Sequence, residues 1–409
     1  MKPDSRLSKI KQKIGNLCLL AVLGLGVWGS TSAQARPFST SSEVLNPHAL
    51  VQPLPFQLAL QPERYRLVDE AVLRVMEDQG LVGLALGLVE NGKISYLKGY
   101  GWADRENREA VTLQSSFRWA SLSKPVTAVL SQQLVEQGLL DLDQDIQKYW
   151  KAYHNVQGWP LTQRQLLAHL AGIGSYDEVA GWQAGLRSFQ AGAGVQTPAH
   201  MSAASQAVFA AAPLLQRPGL AYHYSTFGYM LAGAVLEQRS GQSYWQQFQE
   251  RIAQPLGLTS IQPDHAGTFI PYRVSGYYKD RGSVVKRPLD DVAWKLAGGG
   301  FTSNIQDLTR FMQALIQHEL ISQRGSEALW TVQKTVEGQA TAYGLGFGVS
   351  QFQQIRRIEH GGSQTRTRTL MSFHPDQKRG LVLMCNSEWA ELAPLRDALF
   401  EILQTSEWL

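Results

Sequence analysis

The chain has 409 residues, 44% of them hydrophobic and 18% charged, with 38 Lys and Arg against 34 Asp and Glu. That length suits one large lobe or two fused ones, and an ordinary composition without low-complexity tracts excludes the disordered and fibrous classes. The surplus of four positive charges lies within residues 1–35, which hold five basic side chains and one acid, Asp4. The remainder is formally neutral, which argues against nucleic acid or an anionic membrane as a partner.

In that first segment Lys2, Arg6, Lys9, Lys11 and Lys13 precede an apolar run from Ile14 to Trp28, and Ala33-Gln34-Ala35 follows. Basic residues, a short apolar core and small residues at the cleavage positions predict a secretory signal peptide over residues 1–35, cut after Ala35. The product would be exported, periplasmic or secreted, with no stable membrane insertion after cleavage. The alternative is an uncleaved anchor, for which the run is short against the about 20 residues of a span. Cys18 lacks the small residues expected before a lipidated cysteine. Cys385 is the single thiol after cleavage, so an intrachain disulfide is excluded. Its neighbours Leu381-Val382-Leu383-Met384 predict a buried strand residue.

Residues 36–61 contain Pro and Ser without a period and read as a flexible lead-in. From Pro62 to Gln79, Leu67, Val68, Ala71, Val72, Val75 and Met76 recur at helical spacing. Two strands are expected at Val82–Val89 and Ile94–Tyr100, joined by Glu90-Asn91-Gly92-Lys93, whose Asn-Gly is a hairpin signal. A buried helix is expected to open near Ser121 and to end at Gly138. Ala184 to Met201, rich in Gly, Ala and Ser, reads as a loop. Further strands are expected at Gly344–Ser350, Ile355–Glu359, Arg368–Phe373 and Gly380–Cys385, and a closing helix at Leu392–Leu403. Strands at both ends with helices between them imply an α+β fold, an antiparallel sheet completed by both ends of the chain with an inserted helical lobe.

Three pieces carry chemistry. In Ser121-Leu122-Ser123-Lys124, Pro125 is tolerable only in a helix's first turn, so the helix starts near Ser121. Ser121 and Lys124 then share a face, one turn apart, and the helix N-terminus beside Ser121 favours developing negative charge. A serine hydroxyl needs a base, which a desolvated Lys124 can supply. Taken alone, such a pair more often lies on a solvated helix; the apolar run Val126, Val129, Leu130 and Leu134 makes that reading less apt here. Tyr224-Ser225-Thr226 stands at a loop–helix junction, where Tyr224 is either an aromatic anchor or a proton relay. His360-Gly361-Gly362 closes an apolar strand run, and is either a turn or a strand edge along which substrate lies. In the second case the main-chain amides of Ser363 and Ser121 form an oxyanion hole. The scattered histidines support no metal site, no cofactor is implied, and His169 reads as a structural histidine.

With these pieces placed, the chain resembles the serine β-lactamase and penicillin-binding-protein superfamily. It is most similar to the class C-like branch that also holds esterases, D-amino-acid peptidases and mitochondrial β-lactamase-like proteins. The resemblance spans roughly residues 62–404. It extends to Leu166-Leu167-Ala168-His169-Leu170-Ala171-Gly172, Pro255-Leu256-Gly257-Leu258, Ala297-Gly298-Gly299-Gly300 with Asp307-Leu308, and Tyr343-Gly344-Leu345-Gly346. It implies a β-lactamase/transpeptidase-like fold over 62–404, with a helical lobe at roughly 140–290 and the site in the cleft. It also implies an acyl-enzyme on Ser121, with Lys124 and Tyr224 sharing the proton and Thr226, His360, Gly361, Gly362 and Ser363 contacting substrate.

Two departures bear on substrate. Where the family's third motif usually begins with Lys, this chain has His360, mostly neutral at pH 7. Where the second commonly ends in Asn, it has Thr226, with one hydroxyl donor. Weaker carboxylate binding turns the expectation towards esters or small amides. If His360 binds an anionic substrate, activity on it should rise as pH falls towards the histidine pKa. The expected function is an exported serine hydrolase acting on a small-molecule or peptide ester or amide. The alternatives are a true β-lactamase or D,D-carboxypeptidase, and a catalytically silent binding or assembly protein.

Overall fold

The computed structural model describes residues 62–192 and 200–405, so the expected signal peptide and lead-in lie outside the described residues. In chain order the first elements are α1 (Pro62–Gln79), β1 (Gly83–Glu90), β2 (Lys93–Asp104), β3 (Glu109–Ala110), β4 (Phe117–Arg118) and α2 (Ser123–Glu136). Helices α3 (Gln163–Leu167), α4 (Trp182–Gly192), α5 (Met201–Val208), α6 (Thr226–Ser240), α7 (Tyr244–Phe248) and α8 (Gln254–Leu256) follow. Then come β5 (Gln262–Pro263), β6 (Tyr277–Asp280), β7 (Ser283–Lys286), α9 (Leu296–Gly299), β8 (Phe301–Ser303), α10 (Ile305–Ile316) and α11 (Gln323–Leu329). The chain closes with β9 (Gly348–Phe352), β10 (Ile355–Gln364), β11 (Thr367–His374), β12 (Arg379–Cys385) and α12 (Ala393–Thr405).

Helices α1 and α12 group into one compact unit, and Leu81–Leu392 forms the other. In α1, Val68, Ala71, Val72 and Met76 are buried at the spacing of one helix face. In α12 the buried set is Leu395, Leu399, Phe400, Ile402 and Leu403.

In the larger unit seven antiparallel strands run in the order β3-β2-β1-β12-β11-β10-β9. The β1–β12 pair, in register at Leu86↔Leu383, joins the early hairpin to the late strands, as the distribution of strand signals predicts. The β1–β2 turn has Asn91 and Gly92 both at positive φ, 51° and 73°, the conformation the Asn-Gly signal demands. Helix α10 lies directly on this sheet: a β-carbon on Gly87 would sit 2.0 Å from Thr309 Oγ1. Helices α2 and α6 are buried on every side, from Ser123 to Gln132 and from Thr226 to Glu237. Leu122, Val126, Val129 and Leu130 share one core with Phe227, Met230 and Leu231; each such side chain contributes roughly 1.5–3 kcal/mol by leaving water.

Three expectations need correction. Ala184–Met201 is not one loop, because α4 covers Trp182–Gly192 and Met201 opens α5. Trp182, Leu186 and Phe189 pack against the core at helical spacing, and Ala and Gln are good helix formers. The strand expected at Gly344–Ser350 begins only at Gly348, since Gly344 N bonds back to Phe347 O in a turn. Finally, β10 does not stop at the glycines but runs through Gln364, paired with β11 from Ile358↔Phe373 to Gln364↔Thr367.

Candidate active site

Strand β4 delivers the chain to the site. Phe117 and Arg118 pair with Ser303 and Thr302 of β8. Trp119 N donates to Phe301 O at 2.9 Å, its indole Nε1 donates to Ser303 Oγ at 2.7 Å, and its carbonyl accepts from Thr369 Oγ1 at 2.8 Å. Ala120, held between these anchors and α2, takes φ +49°, a left-handed conformation that costs an L-residue roughly 1–2 kcal/mol. The tight turn Ala120–Leu122 then carries Ser121 into α2. The hydroxyl therefore stands at the entry to α2, in a turn whose Leu122 N donates to Trp119 O at 3.2 Å.

Lys124 is fully buried. Its Nζ lies 3.0 Å from Ser121 Oγ, donates to Gly298 O at 2.8 Å and reaches Thr226 Oγ1 at 3.3 Å. All three partners are neutral, and among the described residues no carboxylate pairs with this amine. Burial first, and the nearby charge of Lys295 second, hold its pKa well below the ordinary 10.5. A neutral amine has two N–H bonds and one lone pair. Gly298 O can only accept, so it takes one N–H; Thr226 can take the other, which leaves the lone pair to Ser121.

Tyr224 closes the loop before α6. The Lys124 Nζ stands 4.7 Å from its ring centroid, and the His169 ring 4.2 Å away. The residue is 38% exposed and borders the open side of the site. Burial nevertheless raises its phenol above the ordinary 10.0, against the lowering pull of a hydrogen bond with Ser121. Ser225 caps α6, accepting from Gly228 N at 3.1 Å and donating to Gly174 O at 2.9 Å. Its own N–H donates to His169 Nδ1 at 3.1 Å. Thr226 is the first residue of α6 and meets Lys124 as above. His169 stands behind Tyr224, with one nitrogen engaged and Nε2 buried without a partner. Burial above all keeps it far below the ordinary imidazole value.

His360 departs from the sequence reading. It is buried, its Nε2 accepts from Tyr343 Oη at 2.8 Å, and its Nδ1 donates to Gly361 O at 2.7 Å. Burial, reinforced by Lys124, lowers its pKa from 6.5 to about 3. A histidine titrating near neutrality, available as a cation for substrate, is thus replaced by a neutral ring with both nitrogens occupied. The next residues do border the nucleophile's backbone. A β-carbon on Gly362 would lie 2.4 Å from Trp119 O and 3.1 Å from Ala120 Cβ, so glycine is what admits β10 there. Gly361 and Ser363, on either side, are exposed.

Sequence reasoning missed three contributors. Gly298 O holds Lys124, Tyr343 holds His360, and Lys295 brings a further lysine side chain close to the Ser121 backbone. Gly298 and Tyr343 stand inside segments that carry the family resemblance, but as backbone or motif letters without an assigned contact. No periodic or spacing signal marks Lys295.

Residues 68–404 match the Beta-lactamase family. The chain is 27% identical over 305 residues to the mouse (Mus musculus) mitochondrial serine beta-lactamase-like protein LACTB, covering 59% of this chain and 55% of that one, so it spans about half that relative's length. It is 28% identical over 295 residues to the putative penicillin-binding protein PbpX of Bacillus subtilis strain 168, covering 70% and 68%. The structure of EstCE1, a hydrolase with promiscuous acyltransferase activity, superposes with a TM-score of 0.68, with 21% identity and coverage of 82% and 98%. With a match over most of its length and the same fold in solved relatives, the chain belongs to the beta-lactamase family.

Proposed function

We propose that this protein is an exported serine hydrolase that cleaves an ester or small amide through an acyl-enzyme on Ser121. One observation carries the reading: a fully buried lysine amine, without a counter-ion among the described residues, 3.0 Å from a serine hydroxyl. A buried lysine normally has a carboxylate partner or loses its proton, and the second outcome produces a general base in contact with a nucleophile. EstCE1, a hydrolase with acyltransferase activity on the same fold, is in keeping with acyl transfer.

In acylation the Ser121 proton passes to Lys124 Nζ while Oγ bonds to the carbonyl carbon. The negative oxygen would meet the amides of Ser121 and Ser363, a role supported by the packing of Gly362 on Trp119 and Ala120. Tyr224 remains a phenol, because its pKa is raised. It therefore acts as the donor that relays the proton from Lys124 to the departing alkoxide or amine, and Lys124 is the base. In deacylation water gives a proton to Lys124 and bonds to the acyl carbon, and Oγ leaves with that proton.

A fluorophosphonate should add its phosphonyl group to Ser121, read by peptide mass spectrometry, and Ser121→Ala should abolish turnover of p-nitrophenyl esters. Wild-type turnover in that variant would end the proposal, and a wild-type protein that reacts with neither probe would favour a silent scaffold. His360 offers no cation on the β10 side, so a fluorescent penicillin, whose carboxylate needs one there, should leave Ser121 unlabelled where the fluorophosphonate labels it. Export is tested by the mature N-terminus, which should be Arg36.

A further inference from the structure

Lys295 lies just before α9, on the segment whose Gly298 carbonyl holds Lys124. Its Nζ donates to Tyr176 Oη at 3.1 Å and stands 5.2 Å and 5.7 Å from the ring centroids of Tyr176 and Trp294. Among the described residues it forms no ion pair. The side chain is half-buried rather than free in solvent. The end of its aliphatic stem lies near the nucleophile's backbone, across the space that Gly299 leaves open. A β-carbon there would sit 3.7 Å from Lys295 Cε, 3.7 Å from Gln364 Oε1 and 3.8 Å from the Ala120 carbonyl carbon, the atom bonded to Ser121 N. Three groups from distant parts of the chain thus meet at one point beside Ser121, and glycine leaves that point open. The other atom of that Gln364 amide, Nε2, is buried with no hydrogen-bond partner, and a half-turn of the amide exchanges the two atoms and aims its N–H groups at the open point.

A buried amide N–H without an acceptor costs free energy comparable to a lost hydrogen bond, and a half-buried ammonium without an anion is likewise under-used. With the amide so turned both are donors, and both side chains reach the open point beside the Ser121 backbone. The acceptor that satisfies two such donors together is a carboxylate, with two oxygens and about four lone-pair sites. We propose that Lys295 and Gln364 form a specificity subsite that binds a carboxylate of the substrate, a few bonds from the scissile carbonyl. The substrate class is an ester or amide bearing one free carboxylate, such as the half-ester of a dicarboxylic acid. This rests on the serine hydrolase reading above and refines it: the substrate's charge is met from the α9 side of the site, not by His360.

The carboxylate can belong to the acyl part or to the leaving group, and paired substrates separate the two. For the acyl side the pair is mono-p-nitrophenyl glutarate and p-nitrophenyl butyrate; for the leaving-group side it is 4-butyryloxybenzoate and phenyl butyrate. In the full-length mature protein, Lys295→Met should lower the anionic-to-neutral ratio of kcat/KM by roughly ten- to a hundredfold in one pair, the range expected for a charge-assisted contact. Lys295→Arg should recover part of it. Gln364→Leu should move the same ratio in the same direction by less. A ratio unchanged in both pairs overturns the subsite while leaving the hydrolase intact. Loss of all turnover in Ser121→Ala but not in Lys295→Met keeps the two proposals distinguishable. A readout without turnover is calorimetric binding of glutarate, which should weaken at least tenfold in Lys295→Met; equal or absent binding in both proteins also overturns the proposal.

Discussion

Arg118 and Lys124 stand six residues apart, both buried, and they meet burial in opposite ways. The Arg118 guanidinium pairs with Asp264, and with Asp290 at 2.7 Å, while Arg273 reaches Asp264 from another side at 3.0 Å. Lys124 meets a hydroxyl, a second hydroxyl and a carbonyl. Arginine keeps its proton in nearly any surroundings, so its burial demands anions. Lysine gives its proton up when desolvated and unpaired, so its burial makes a base. One short segment thus holds a cation that anchors β4 and an amine that is poised to react. The distinction lies in the chemistry of the two side chains and in the partners the rest of the fold brings to each.

The largest expected effect comes from removing the reactive member. Lys124→Met should lower kcat/KM for a p-nitrophenyl ester on the order of 10³–10⁴-fold, the range of a lost general base. A loss of less than tenfold would break the comparison. Stability should move the other way. The folded-state pKa of Lys124 lies well below the unfolded value near 10.5, so between the two the unfolded chain binds a proton that the folded chain does not. Wild-type stability therefore rises with pH through that window and is lowest, from this group, at its acid end. Lys124→Met lacks this slope and should be at least as stable as wild type at pH 7 by urea unfolding.

The paired member predicts the reverse. Asp264→Ala leaves the buried Arg118 and the partly buried Arg273 with too little negative charge, and should cost about 3–5 kcal/mol in urea unfolding. An unchanged unfolding midpoint would show that Asp290 alone suffices for Arg118. Next in size is Tyr224→Phe, which removes the proposed relay but leaves the ring over Lys124 Nζ. We expect roughly a ten- to hundredfold loss in kcat/KM, growing as the leaving group becomes more basic and more in need of a proton. Equal losses for nitrophenyl and alkyl esters would remove the relay role.

What could be read from the chain follows from what local order encodes. The Ser121–Lys124 contact is a helical i, i+3 relation, and Pro125 marks where the helix can begin, so the pair was legible without a fold. Tyr224 and Thr226 were legible as a cap junction, which Ser225 completes with its bond to Gly228 N. The hairpin at Asn91-Gly92 and the strands at both ends were legible from turn chemistry and apolar runs. By contrast, the protonation of His360 depends on burial and on Tyr343, seventeen residues away. No local pattern carries that information, and a histidine in a glycine-rich strand reads as accessible when it is not. Lys295 was invisible for the same reason: Tyr176 meets it, and Gln364 and Ala120 come to the same open point beside Gly299, only after packing. The small-residue stretch after Ala184 misled because Ala and Gly suit a loop and a close-packed helix equally well.

The smallest expected effect concerns the one charge that acts on Lys124 from outside its hydrogen bonds. Lys295 lowers the Lys124 pKa through its positive charge, second to burial. Acylation needs Lys124 unprotonated, so the acidic limb of kcat/KM for a neutral ester reports when that amine gains its proton. With Lys295→Met the repulsion disappears, protonation of Lys124 becomes easier, and the limb should move towards higher pH. Lys295→Arg keeps a charge in place and should leave the limb near its wild-type position. His360, with its pKa lowered to about 3, holds no proton at pH 5 or above. It should therefore add no further inflection between pH 5 and 8, for anionic or neutral esters. A limb in Lys295→Met that coincides with wild type would mean that burial alone tunes Lys124. An inflection near pH 6.5 that vanishes in His360→Gln would mean that the ring is more open to water than its bonds to Tyr343 and Gly361 imply.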